Sequence, residues 1–218
     1  MAKKKSSRKR SSKKKVTRNS QILYKYRNFE SIEYALDIFV NGQLYAADFR
    51  TLNDPMEGRF VYSKGKLTKQ ELKRIRGKKS DYRNLSLSET ETNMLMWSYY
   101  CSGHNGFVVG VELCEPTESV EKIEYVEKLK LDVSRDGDLA KSILSKKLSL
   151  WSHEKEHRVF SNREYVKVNV RELIFGIKTN HFQKEILTKI AEKFCPDISV
   201  RLLEKNDLET GDVESDEI

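Results

Sequence analysis

Phe107-Val108-Val109-Gly110-Val111-Glu112-Leu113 decides the fold class of this chain. The run is short, almost wholly apolar and rich in valine, and it follows a loop containing Gly103 and Gly106. That is the pattern of a buried strand. Upstream, Ile22-Leu23-Tyr24-Lys25-Tyr26-Arg27 alternates apolar and polar residues and carries aromatics, as a strand does. Downstream, Arg158-Val159-Phe160, residues 165–168 and residues 198–203 repeat the strand signature, and residues 44–47 and 122–126 give shorter versions of it. Residues 170–176 read as a strand or a short turn of helix.

Helical patterns lie between these runs. Ser31 reads as the N-cap of a helix to about residue 40, with Ile32, Ala35, Leu36 and Phe39 at helical spacing and Asn41-Gly42 as its end. Residues 69–76 form a charged helix stopped by Gly77, with residues 77–84 exposed. Residues 138–150 place Leu139, Ile143, Leu144 and Leu148 on one side of an amphipathic helix, and residues 182–194 form another. Residues 51–58 are turn-rich, because Asn53 and Asp54 bond their own backbone and Pro55 ends any helix. The expected fold is α+β: a mixed, mainly antiparallel central sheet flanked by helices, in a single domain with disordered tails.

The charge is unevenly placed. The formal net charge is +8, yet residues 1–18 hold ten Lys or Arg and no acid; the rest has 31 basic against 33 acidic residues, a net of −2. Residues 1–20 therefore read as a disordered basic arm, suited to nucleic acid or another polyanion or simply to solubility. Residues 21–203 form the domain. Residues 204–218, with seven acids against Lys205, read as a disordered acidic tail. No apolar run reaches the ~20 residues that span a bilayer, and none follows the basic arm as in a secretory signal. Cys101, Cys114 and Cys195 are odd in number and widely spaced, which points to a reducing, cytoplasmic setting. No P-loop and no glycine-rich dinucleotide loop is present.

Two segments concentrate polar groups between aromatics: residues 97–106, with Trp97, Ser98, Tyr100, His104 and Asn105, and residues 151–158, Trp-Ser-His-Glu-Lys-Glu-His-Arg. Taken singly, each reads as core packing beside a turn or as a surface ion-pair network. His153-Glu154-Lys155-Glu156-His157 matches the spacing of a zincin helix, but no third ligand follows and Arg158-Val159-Phe160 turns the segment into a strand, so no metal site is expected. On an extended chain Glu154 and Glu156 share a face. Two carboxylates so placed need a raised pKa on one or a cation between them.

Five blocks in order carry a family resemblance: Leu-Tyr-Lys-Tyr-Arg (23–27), Leu-Asn-Asp-Pro-Met-Glu (52–57), Met-Trp-Ser-Tyr-Tyr with His-Asn-Gly-Phe (96–107), Lys with Trp-Ser-His-Glu-Lys-Glu-His-Arg (147–158) and Leu-Ile-Phe-Gly (173–176). Across residues 22–203 the chain resembles the bacterial family known as domain of unknown function 2971. Met56 stands where an aromatic is common there, and Tyr99 where His is frequent. The order of Arg27, Ser98 and Glu154/Glu156 is similar to that of ADP-ribosyltransferases of the Arg–Ser–Glu type, although Trp97-Ser98-Tyr99 replaces their Ser-Thr-Ser. This second resemblance implies NAD as substrate. Arg27, Ser98, His104 and Glu156 would be catalytic: Arg27 would hold a phosphate, Ser98 shape the nicotinamide pocket, and Glu156 stabilise the oxocarbenium-like charge. Tyr26, Asn53, Asp54, Trp97, Tyr100, Trp151, Glu154 and Arg158 would bind the ligand, with Trp97 or Tyr100 on the ring. The expected function is a nucleotide-directed enzyme of the kind used as a phage-defence effector, with NAD as its candidate substrate and no cofactor assigned. The alternatives are a non-catalytic ligand- or nucleic-acid-binding module and a metal-dependent nuclease using Asp54, Glu57, Glu154 and Glu156.

Overall fold

The computed structural model describes residues 21–114, 119–133 and 137–207. The basic arm and most of the acidic tail lie outside the described residues. In chain order the elements are β1 (Leu23–Asn28), α1 (Ile32–Asn41), β2 (Gln43–Tyr45), β3 (Ala47–Asp48), α2 (Lys69–Ser80), β4 (Arg83–Ser88), α3 (Met94–Tyr100), β5 (Gly106–Leu113), β6 (Ser119–Lys122), β7 (Glu124–Val126), α4 (Leu139–Leu144), β8 (Lys146–Leu148), β9 (Glu156–Ser161), β10 (Tyr165–Phe175), α5 (His181–Phe194) and β11 (Ser199–Leu202).

Among the described residues, nine strands form one sheet in the order β11-β10-β5-β1-β4-β9-β6, with β2 on β10 and β3 on β4. Every pairing in it is antiparallel except β10 with β11. β7 and β8 form a separate parallel pair. The α+β reading with a mainly antiparallel sheet therefore holds.

β5 lies inside the sheet and is covered on both faces, which explains its unbroken apolar run. Phe107, Val109 and Val111 face one core with Ala35, Ile38 and Phe39 of α1 and Leu187 and Ala191 of α5. Val108 faces a second core with Tyr26, Trp97, Ile174 and Leu203. Gly106, at the head of β5, lets two segments approach. A Cβ there would lie 2.4 Å from the Arg27 carbonyl oxygen and 2.9 Å from Cys101.

Several elements differ from the sequence pattern. The helix expected to stop at Gly77 runs on to Ser80, because Thr68 and Glu71 form a reciprocal cap and Lys79 is buried in the last turn. Residues 83–88, of which 83 and 84 were expected to be exposed and the rest had no assignment, are β4. The segment leading to Ser98 is a helix, α3, capped by the Asn93 side chain on the Met96 amide. The helix expected over 138–150 is one short helix, a strand and the 3₁₀ turn Ser149–Glu154. Strand 44–47 divides into β2 and β3, and 122–126 into β6 and β7. Residues 165–168 and 170–176 join into the single strand β10, whose register shifts between Val170 and Glu172. The stretch expected to be a free tail from 204 begins with an ordered 3₁₀ turn, Lys205–Asp207, held by Arg201 on Asp207 at 3.1 Å. No described helix is long and apolar enough to cross a membrane.

Gly106→Ala should lower stability by about 1–3 kcal/mol, since Arg27 and Cys101 offer backbone rather than a flexible side chain to the new methyl. Chemical denaturation measures this; an unchanged midpoint would show that the loop relaxes freely.

Candidate functional site

The sheet opens between β1 and β4. These strands share one paired position, Tyr24 with Ser88. Beyond it a side chain replaces the ladder: Lys25 Nζ donates to the Ser86 carbonyl oxygen at 2.8 Å. A solvent-open recess of about 120 Å³ lies at this split, with Tyr24, Tyr26 and Tyr100 among its walls and Asn53 and Leu52 at its side.

The floor of the recess is an ion network. Arg158, wholly buried on β9, holds two carboxylates in forked geometry: Nη1 and Nη2 donate to Glu57 at 2.6 and 3.1 Å, and Nε and Nη2 to Glu156 at 2.8 and 3.1 Å. Its Nη1 also donates to the Leu144 carbonyl oxygen at 2.6 Å. Lys147, from β8, binds Glu154 and lies 3.4 Å from Glu156. Trp151 covers Lys147 from outside, its ring centroid 4.9 Å from the ammonium. Glu154 accepts from Tyr100 Oη at 2.6 Å.

The Glu-x-Glu pair reaches this point by an unexpected route. Glu154 ends the 3₁₀ turn, Lys155 takes a left-handed φ of 43°, and Glu156 opens β9. The segment is therefore not extended, yet both carboxylates converge on Lys147. The cation that two such carboxylates require is supplied from nine residues upstream of Glu156.

Titration behaviour follows from burial and pairing. Burial raises the pKa of Glu156, but Arg158 and Lys147 outweigh it and hold it at about 2. Glu156 is thus a permanent anion, already engaged by two cations, and is unsuited to moving protons. Burial lowers Lys25 to about 7; neighbouring Arg27 adds to this, and Glu156 and Glu154 offset part of it. No ion pair to Lys25 occurs among the described residues. Burial, then Glu154, raises Tyr100 far above the usual phenol range, so it stays a neutral donor.

The residues singled out in the sequence fall into separate places. Glu156, Glu154, Arg158, Tyr26, Asn53 and Tyr100 line the recess. Arg27 does not. It sits near Tyr34 and Cys101, and its buried Nε has no hydrogen-bond partner among the described residues. Ser98 is exposed on α3, on a different face from Met96 and Tyr100, and its Oγ lies 3.5 Å from His104 Nε2. His104 stacks beside Trp97 with centroids 6.2 Å apart, away from the recess. Trp97 is fully buried, with its indole nitrogen donating to the Glu91 carbonyl oxygen at 2.6 Å, so it is core and cannot stack on a ligand. Asp54 caps the Met56 amide at 2.8 Å. His153 lies in the 3₁₀ turn and His157 on β9, where it meets Glu89 at 2.7 Å; the zincin spacing therefore spans two elements. Among the described residues no group of three His, Cys, Asp or Glu is arranged to hold a metal ion.

Lys25, Lys147, Ser86 and Ser88 line the recess, though they were not singled out for it, and Glu57, named only for the nuclease alternative, holds Arg158 beneath it. Lys25 carried a signal, being a cation flanked by two tyrosines in a strand pattern, whereas Lys147 stood in a stretch read as helix. Compared with known family models, characterised proteins and solved structures, the chain matches none.

Arg158→Met should cost about 3–5 kcal/mol in chemical denaturation, because Glu57 would be left buried without its cation and Glu156 with Lys147 alone. A loss of less than about 1 kcal/mol would mean the carboxylates are solvated. Lys25 should titrate near pH 7 in NMR of ¹³C-labelled lysine side chains. The folded amine holds its proton less tightly than the unfolded one, so from about pH 7 to 10.5 the unfolded chain binds more protons and stability rises with pH. Lys25→Met should flatten that rise; a midpoint near 10.5 in the NMR titration would refute the assignment.

Proposed function

We propose that the recess between β1 and β4 is an active site for a small, ring-bearing polar substrate, with a nucleotide such as NAD as the leading candidate. The observation that carries this reading is the meeting, at one open recess, of a lysine without a carboxylate partner and a carboxylate held by a tyrosine and a second lysine. Lys25 would exchange a proton near neutral pH. Glu154 would face ring hydroxyls or a developing positive charge. Tyr24, Tyr26 and Tyr100 would take the flat face of the ring. A volume of about 120 Å³ suits one ring system rather than a whole dinucleotide, whose remainder would extend past Asn53 into solvent.

In this reading Glu154 takes the part that the Arg–Ser–Glu resemblance assigns to Glu156, and Lys25 stands in the cavity where that resemblance expects Arg27. The reaction class is glycosyl transfer from, or hydrolysis of, the nucleotide. A nuclease reading has less support, because Arg158 and Lys147 occupy the space between Glu57, Glu154 and Glu156 where a metal ion would sit. A second reading is a non-catalytic binding module. It is favoured by the engagement of both Glu154 oxygens, one with Tyr100 and one with Lys147.

Incubation with NAD, alone and with cell lysate, separates the two. An enzyme should release nicotinamide or transfer label, and Glu154→Gln and Lys25→Met should each lower the rate about 100-fold or more while Ser98→Ala leaves it unchanged. A binding module should gain thermal stability with NAD or nucleosides and form no product. Equal turnover by wild type and Glu154→Gln, or neither turnover nor binding, would refute both assignments for this ligand class.

A further inference from the structure

The loop that supplies Glu57 has a second side. There Phe60, Val61 and Tyr62 border a separate open groove of about 750 Å³. Its floor is apolar, formed by Leu72 of α2 with Leu129 and Leu148. Arg59, Arg76 and Lys128 stand at its edge, exposed, and none forms an ion pair among the described residues. Among the described residues no carboxylate lines it. Lys79 lies beneath, committed to the Gly58 carbonyl oxygen at 2.6 Å and to the rings of Phe49 and Phe60. The basic character continues along α2, Lys-Gln-Glu-Leu-Lys-Arg-Ile-Arg-Gly-Lys-Lys-Ser, in which Glu71 is the one acid and serves as a cap.

The aromatic edge is built, not loose. Val61 bridges the neighbouring segment, its amide donating to Leu129 at 2.8 Å and its carbonyl accepting from Leu131 at 2.9 Å. This presents Phe60 and Tyr62 side by side, with ring centroids 5.9 Å apart and Tyr62 37% exposed. Flat apolar faces beside unpaired cations suit a ligand that alternates flat rings with negative charge. Single-stranded nucleic acid has that chemistry; a duplex hides its base faces, and an acidic peptide has none. A concave groove also fits a strand better than the plane of a bilayer.

We propose that this groove binds single-stranded nucleic acid, with bases stacked on Tyr62 and Phe60 and phosphates held by Arg59, Arg76 and Lys128. The proposal is independent of what the tyrosine-lined recess binds. The test uses the full chain and a short oligouridine carrying 4-thiouridine. Because residues 1–18 bring ten further cations, photocrosslinked peptides are mapped as well as affinity measured. The expected result is crosslinking within residues 59–62, about tenfold weaker binding for Tyr62→Ala, and weaker binding with a shallower salt dependence for Arg59→Glu combined with Arg76→Glu. These positions are exposed, and circular dichroism checks that the variants fold. Crosslinks confined to residues 1–20, unchanged affinity in both variants, or binding to phosphatidylserine vesicles but not to the strand would each overturn the proposal.

Discussion

A guanidinium with no access to water must have its charge and its donors satisfied within the protein, and Arg158 imposes that requirement on everything around it. Four separate segments meet it. Glu57 comes from the loop after β3, Glu156 from the start of β9, the Leu144 carbonyl from the end of α4, and Lys147 balances the second carboxylate from β8. Apolar packing acts beside the ion network, since Ala140, Ile143 and Leu144 of α4 and Val159 and Phe160 of β9 are buried as well. Removing Arg158 would leave Glu57 buried without its ion-pair partner, so the arrangement is held around that one residue.

The same network leaves an opening. β1 and β4 part after a single paired position, and Lys25 spans the gap to Ser86. The recess therefore has an aromatic side supplied by β1 and α3 and an ionic side supplied by Arg158 and its partners. This division matters for chemistry. Glu156 is bound by Arg158 and Lys147 and anchors the floor, while Glu154 is held by Tyr100 and Lys147 and Lys25 by a backbone carbonyl. The loop 52–58 contributes to both sides of the molecule, since Asn53 borders the recess and Met56 and Gly58 border the basic groove.

Much of the fold was legible in residue patterns. Strong period-two or fully apolar runs marked β1, β5, β9 and β10, and helical spacing marked α1 and α5. The misread elements share a cause. β4, Arg-Asn-Leu-Ser-Leu-Ser, is polar on paper and is a strand because it fills the space between β1 and β9. Residues 138–150 carry a helical pattern that is interrupted where Lys146–Leu148 pair with β7. Gly77 sits inside a helix because the cap at Thr68 and the burial of Lys79 outweigh its weak propensity.

The sequence by itself determined the α+β class, the central place of Phe107–Leu113, the concentration of basic charge in the first eighteen residues and the importance of the Glu154–Arg158 segment. It also read two neighbouring carboxylates as needing either a raised pKa on one or a cation between them. Only the tertiary structure decided which cation, and which named residues meet. Lys147 and Glu57 lie 9 and 101 positions from the residues they pair with, so no local spacing could assign them. Ser98 shares α3 with Met96 and Tyr100 but points elsewhere, because helix rotation sends neighbouring side chains to different faces, and Arg27 lies two residues farther along β1 than Lys25, beside Tyr34 and Cys101.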